Sequence, residues 1–322
     1  MDNKTVRRDI LKISNLSVKL GKNLILKDVD ISVKDGEMLG VVGVSGVGKT
    51  TLLNSIIGFY PTFKGDISYY TSQGNMKISV LSNVDRYRRL FGFSAQNPSF
   101  YPELSVLENL HYFASLYDIP EVYKRANIKS ALQLVQLTDH AKAYAKNLSG
   151  GMKKRLDIAC AIVHNPRIVI LDEPTSDMDP LLRIQMWNLM EEINKLGTTI
   201  IVASHFLSEL EHTCDRIIFL HNKKVEFIGT PKEFRDIYSK VKEIHISTID
   251  GKYDVILKKV KDMPFLEVKH IFKRKGRIVI HSRENEKTIR NAISKALGKE
   301  ANISDVEISN PSFDMLFKMF IK

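Results

Sequence analysis

At 322 residues, 43% hydrophobic and 26% charged, the chain has the composition of a globular protein with room for two domains, and it has no low-complexity tract. A formal net charge of +11 suits polyanions, anionic surfaces or nucleotides without choosing among them, and residues 240–322 hold 18 Lys+Arg against 11 Asp+Glu. Cys160 and Cys214 have no metal-like spacing, the N-terminus lacks a signal-peptide core, and no apolar run nears the roughly 18 residues of a membrane span.

The first elements alternate apolar and polar residues around turn signals. Leu11 to Lys19 and Leu24 to Val33 read as short antiparallel strands, broken by Gly21-Lys22-Asn23 and closed by Lys34-Asp35-Gly36. Met38 to Val42 is then a buried strand running into a glycine-rich stretch, with helical periodicity resuming through Leu52 to Ile57. That stretch, Gly43-Val44-Ser45-Gly46-Val47-Gly48-Lys49-Thr50, satisfies the phosphate-loop pattern between a strand and a helix, the context its chemistry requires. Its glycines let backbone N–H groups curl around a β-phosphate. Lys49 can neutralise β and γ oxygens, and the Thr50 hydroxyl can ligate Mg²⁺.

Leu90 to Phe93 is a short apolar run followed by Gln96, whose amide could reach a metal or a water or could simply be solvated. Ser105 to Leu148 reads as largely helical with a break near Pro120, and it starts on a capping box formed by Ser105 and Glu108. Asn147 to Leu156, "NLSGGMKKRL", opens a helix on two glycines and then sets three cations where the helix dipole disfavours them. Ile168 to Asp172 is a buried strand ending on adjacent carboxylates, Asp172 and Glu173. The first can hold a Mg²⁺ shell, and the second, pointing differently, can polarise an attacking water. Helix Pro180 to Leu196 leads to the apolar strand Thr198 to Ser204, with His205 at its end, and strand–helix–strand with β-branched strands implies a parallel, doubly covered sheet. Past Tyr238 the pattern shifts to short strands, a helix at Glu286 to Leu297, a strand at Ile303 to Ile308 and a last helix from Ser312.

The order of Gly43–Thr50, Gln96, Leu148–Gly151, Ile168–Glu173, Ser176–Asp179 and His205 resembles the nucleotide-binding domain of ATP-binding cassette (ABC) proteins over residues 9–235. The resemblance implies a phosphate-loop α/β core with an antiparallel β subdomain before it and an inserted helical subdomain at about 97–163. The change of pattern past Tyr238 sets this domain at 1–239 and a small α+β extension at 240–322. The resemblance also implies a set of roles. Gly43, Val44, Ser45, Gly46, Val47, Gly48, Lys49, Thr50 and Thr51 hold ATP; Thr50, Gln96 and Asp172 serve Mg²⁺; Glu173 is the general base and His205 senses the γ-phosphate. By the same likeness, Asp179 joins two nucleotide sites. Ser149, Gly150 and Gly151 grip the ATP of a second, antiparallel subunit, so the working species is a homodimer or a pair with a similar subunit. Lys153, Lys154 and Arg155 would then face that subunit's anion, unless they are a solvated charge run.

Leu20 stands where the family usually stacks an aromatic on adenine, which leaves apolar contact without π-stacking and loosens the choice of ATP over GTP. Met152, where Gln is usual, and the tail Asn310–Lys322 resemble the branch exporting drugs and polysaccharides through a separately encoded permease. Phe313, Leu316, Phe317 and Phe320 in that tail are either core or an interface. Phe100, Tyr101, Tyr112 and Phe113 are expected to border the groove that receives the permease, with one or two of them in the core. The protein is thus expected in the cytoplasm, peripheral on the inner face of the membrane, with no nucleic-acid partner. A soluble ABC ATPase acting on ribosomes or nucleic acid is the alternative.

Overall fold

The computed structural model describes residues 7–71, 77–80, 87–238, 242–248, 266–272, 277–282, 284–297 and 303–309. The tail from Asn310, with its expected helix and phenylalanine stripe, lies outside the described residues. The chain divides into two compact units, Met1–Pro231 and Lys232–Lys322.

Strands β1 (Asp9–Leu20) and β2 (Asn23–Lys34) pair as a hairpin around Gly21, whose φ of 60° suits the turn. With β4 (Lys64–Tyr70) and β5 (Lys77–Ser79) they form an antiparallel sheet in the order β2-β1-β4-β5. The second sheet runs β10-β9-β3-β8-β7-β6. Its members are β3 (Met38–Val42), β6 (Phe91–Ser94), β7 (Ile168–Asp172), β8 (Thr199–Ser204), β9 (Arg216–His221) and β10 (Lys224–Gly229). All neighbours in it are parallel except β9 and β10. Every residue of β3, β7 and β8 is buried, which is why those strands read as unbroken apolar runs rather than as alternation. The β9–β10 hairpin gave no such signal. It turns on Asn222 and Lys223, both at positive φ (46° and 69°), without the Asn-Gly pair that usually marks such a turn.

Helix α1 (Lys49–Ile56) follows β3, and its Leu52, Leu53 and Ile56 join Leu11, Ile13 and Val29 of the first sheet to Val41, Ile170 and Ile201 of the second. One core therefore serves both sheets. The helices α2 (Val106–Leu116), α3 (Glu121–Leu134) and α4 (Gly150–Ile162) lie between β6 and β7 in sequence. The capping box is present: Glu108 N donates to Ser105 Oγ at 3.2 Å, and Ser105 N donates to Glu108 Oε2 at 2.7 Å. Pro120 separates α2 from α3 as expected.

Residues 138–147 do not continue the helix and make only short turns at Thr138–His140 and Ala145–Asn147. Their carbonyls have other work: Ala143 O and Ala141 O accept from Val106 N (3.0 Å) and Leu107 N (2.9 Å), satisfying amides that the start of α2 leaves without intrahelical partners. α4 packs hard on β6, since a Cβ at Gly92 would lie 2.0 Å from Ala161 O.

Just beyond α4, His164 stacks on Tyr117 with ring centroids 3.5 Å apart, and its Nε2 lies 3.1 Å from Phe91 O. Its Nδ1 is buried with no partner among the described residues, and burial pushes the imidazole pKa down to about 4. The unfolded chain takes up this proton near pH 6.5 and the folded chain only near 4. Stability is therefore expected to fall as pH drops from 6.5 toward 4, by roughly 3 kcal/mol at the limit. Denaturant titrations across that range should show a flatter profile for His164→Phe.

Helices α5 (Pro180–Lys195) and α6 (Leu207–Thr213) flank β8 in sequence. Helix α7 (Pro231–Tyr238) begins at the division between the units. In the second unit, β11 (Lys242–Thr248), β12 (Leu266–Phe272), β13 (Arg277–Ser282) and β14 (Ile303–Ser309) form an antiparallel sheet ordered β12-β13-β11-β14. Helix α8 (Glu286–Leu297) falls between β13 and β14 in sequence. Ile244 and Ile246 stand opposite Ile280 and Ile278 in register, and all four are fully buried, as is Ile289 of α8.

Candidate nucleotide site

Parallel strands end together, so side chains just past their carboxyl ends gather along one edge of the sheet. Val42 of β3 pairs with Ser204 of β8, Asp172 of β7 with Ala203, and Ser94 of β6 with Leu171. The phosphate loop follows β3 directly, Asp172 closes β7 with Glu173 next, His205 follows β8, and Gln96 lies two residues past β6. Segments far apart in sequence are assembled here by register alone.

The loop from Gly43 to Gly48 has the backbone its glycines allow. Gly46 and Gly48 sit at φ 78° and 111°, and a Cβ at Gly43 would meet Leu220 O at 2.8 Å. Lys49, 5% exposed, donates from Nζ to Gly43 O (2.9 Å) and lies 3.6 Å from Glu173 Oε1. Val44, Ser45 and Val47 complete the turn; Thr50 is exposed at the helix start and Thr51 buried behind it.

Glu173 has an unusual backbone for a non-glycine residue, with φ 47°. Glu173 N donates to Ala203 O at 3.0 Å, and Ser176 Oγ donates to Glu173 O, also at 3.0 Å, so the turn is held on both sides. The carboxylate stands between a cation and an imidazole: Oε1 is the atom near Lys49, and Oε2 lies 3.3 Å from His205 Nδ1. His205 thereby meets the phosphate-loop lysine through one shared carboxylate.

Burial pushes the Asp172 carboxyl above its usual range, opposed by a hydrogen bond with Thr50 and by the charge of Lys49. Its Oδ1 is buried with no hydrogen-bond partner among the described residues. An orphaned carboxylate oxygen beside a threonine hydroxyl is an all-oxygen donor set, which suits a hard divalent cation such as Mg²⁺. Gln96 is exposed two residues past the end of β6, on the strand next to β7.

Of the other predicted residues, Leu20 is half-buried at the end of β1. Asp179 caps α5, its Oδ1 accepting from Leu181 N at 2.9 Å and Leu182 N at 3.0 Å. Ser149 caps α4 through Met152 N, Gly150 is exposed, and a Cβ at Gly151 would rest 3.4 Å from Leu182. The starts of α4 and α5 are thus packed together.

Two of the three cations after Gly151 do not face outward as expected. Lys154 is 7% exposed and donates from Nζ to Ala95 O at 2.7 Å. Arg155 donates to Val135 O and Gln136 Oε1, both at 3.1 Å. Carbonyl oxygens of neighbouring segments take up these charges at a helix start that the dipole makes unfavourable for them. Of the four aromatics, Phe100 is in the core, Tyr101 and Tyr112 are exposed with hydroxyls 3.0 Å apart, and Phe113 is half-buried.

The sequence pattern missed the ties behind Glu173 and His205. Glu209 accepts from Thr175 Oγ1 (2.9 Å) and Trp187 Nε1 (3.0 Å), and pairs with Arg183 at 3.1 Å. Arg183 also donates to Met178 O at 3.2 Å and stacks 4.2 Å over Phe206. The segment after Glu173 and the segment after His205 thus share one ion pair. A single Glu four residues past His205 carries no pattern that would announce this.

The family described as "ABC transporter" matches residues 26–176. The linearmycin resistance ATP-binding protein LnrL of Bacillus subtilis is 27% identical over 308 residues, covering 96% of this chain and 97% of that one. The spermidine/putrescine import ATP-binding protein PotA of Bacillus thuringiensis is 30% identical over 250 residues, covering 77% of this chain and 73% of that one. Among solved structures, an ATP-binding cassette in a dimeric post-hydrolysis state bound to ADP and Pi aligns with a TM-score of 0.60 and 28% identity, over 69% of this chain and 99% of that one. Joined to the phosphate loop and the strand ends that surround it, these likenesses make the chain a member of the ABC transporter family, one of its ATP-binding, ATP-hydrolysing subunits.

Proposed function

We propose that this subunit hydrolyses ATP to power a separately encoded membrane permease, and that the transport is export. The observation that carries the hydrolytic part is Glu173 standing between Lys49 and His205. Glu173 takes the proton of the attacking water. Lys49 binds β and γ oxygens, and His205, its Nδ1 3.3 Å from Oε2, orients the carboxylate. Thr50, Asp172 and Gln96 are the residues to hold Mg²⁺, which when bound offsets the charge of the phosphate oxygens. Leu20 supplies apolar contact to the base, so discrimination between ATP and GTP is weak.

The exposed start of α4 at Ser149 and Gly150 serves the nucleotide of a second subunit, with Asp179 beside it. Export is supported by the likeness to LnrL, a resistance protein by name, over 96% of this chain; two import proteins by name, PotA and FbpC, match over 77% and 86% of it. Among the described residues no helix is long and apolar enough to cross a membrane. Attachment therefore falls to the permease, at the exposed pair Tyr101 and Tyr112. With the permease, a chain of about six apolar segments, reconstituted in vesicles, the subunit should co-float, and Tyr101→Asp with Tyr112→Asp should abolish this. Undiminished flotation of the variant would remove that surface from the proposal.

A further inference from the structure

Lys154 and Asp157 lie one turn apart on α4, 7% and 2% exposed, with Nζ 3.8 Å from Oδ2. Their remaining hydrogen bonds go to the segment that carries Gln96. Lys154 Nζ donates to Ala95 O at 2.7 Å, the Ser94 hydroxyl donates to Asp157 Oδ2, and Ser99 N donates to Asp157 Oδ1 at 2.8 Å. Gln96, Asn97 and Pro98 stand exposed between these anchors.

Burial works against both charges, pushing the Lys154 ammonium down and the Asp157 carboxyl up from their ordinary values. A buried pair of this kind is weak evidence for stability, because apolar side chains of similar volume often do as well. What apolar side chains lack is the set of bonds that grips backbone on both sides of a three-residue stretch, at Ala95 and at Ser99. Gln96 is the first residue of that stretch.

We propose that Lys154 and Asp157 are positioning residues for Gln96, holding its loop on α4 so that the Gln96 amide is presented to the edge where Asp172 ends β7. The proposal rests on Gln96 serving the nucleotide site. It also explains the charges that follow Gly151: the second cation of that run reaches into its own subunit.

The test is a double-mutant cycle on the full-length chain, with steady-state ATPase and thermal melting measured for each variant. Gln96→Ala should lower kcat. Lys154→Met should lower kcat by about tenfold to a hundredfold with KM for ATP little changed, and Lys154→Arg should restore most of it. Adding Lys154→Met to Gln96→Ala should cost nothing further. Asp157→Asn, which keeps the shape, carries the same comparison if Lys154→Met melts early. Losses that multiply in the double variant, or full activity in Lys154→Met, would overturn the positioning role while Gln96→Ala remains impaired. An unimpaired Gln96→Ala would instead overturn the role of Gln96, and the proposal with it.

Discussion

Glu173→Gln should retain ATP and lose turnover, with kcat lower by about 10²- to 10⁴-fold, the contribution expected of a general base. The substitution keeps the length and planarity of the side chain, so the turn at φ 47° and its bonds to Ala203 O and from Ser176 remain. What disappears is the proton acceptor and the negative charge beside Lys49 and His205. With hydrolysis blocked, ATP-loaded protein should accumulate as a dimer, since each chain supplies one phosphate loop and one Ser149 helix start. Phosphate release measures the first effect and sizing chromatography with ATP the second. Turnover within tenfold of the parent would place the base elsewhere, and a persistent monomer would sink the two-subunit site.

Lys49→Ala should weaken ATP binding by about 100-fold and remove turnover. Charge-assisted hydrogen bonds are worth ~1.5–3 kcal/mol, and ~1.4 kcal/mol is tenfold in affinity. The loss also reaches Glu173, which is left with His205 alone at its other oxygen. Lys49→Arg should not rescue, because the lysine sits 5% exposed in a niche shaped for a single ammonium between Gly43 O and Glu173. Titration with a fluorescent ATP analogue checks both variants, and affinity within threefold of the parent for Lys49→Ala would contradict this account of the loop.

Much of the site was legible because its parts are local. The phosphate-loop pattern needs glycines and a lysine in eight residues after a strand, and Gly43 to Thr50 run from the end of β3 into α1, the context read for them. Asp172 and Glu173 were legible as charges closing an apolar strand, and Ser105 with Glu108 as a capping box that the fold retains. Gln96 and His205 were different. Each sat at the end of a short apolar run with nothing nearby to give it meaning, and only the family likeness joined them.

Most of the elements were set locally, since strand periodicity, turn residues and phosphate-loop glycines act within a few residues of one another; the turn at Asn222 and Lys223 and the irregular stretch 138–147 were not. The tertiary structure decided which charges face which partners. Parallel register set the ends of β3, β6, β7 and β8 side by side, so that Glu173 could meet Lys49 and His205, residues 124 and 32 positions away. It also turned Lys154 inward to the Gln96 segment, where a charge run in sequence reads equally well as solvated. A one-dimensional pattern records that a charge exists; only packing determines whether water or a buried carboxylate answers it.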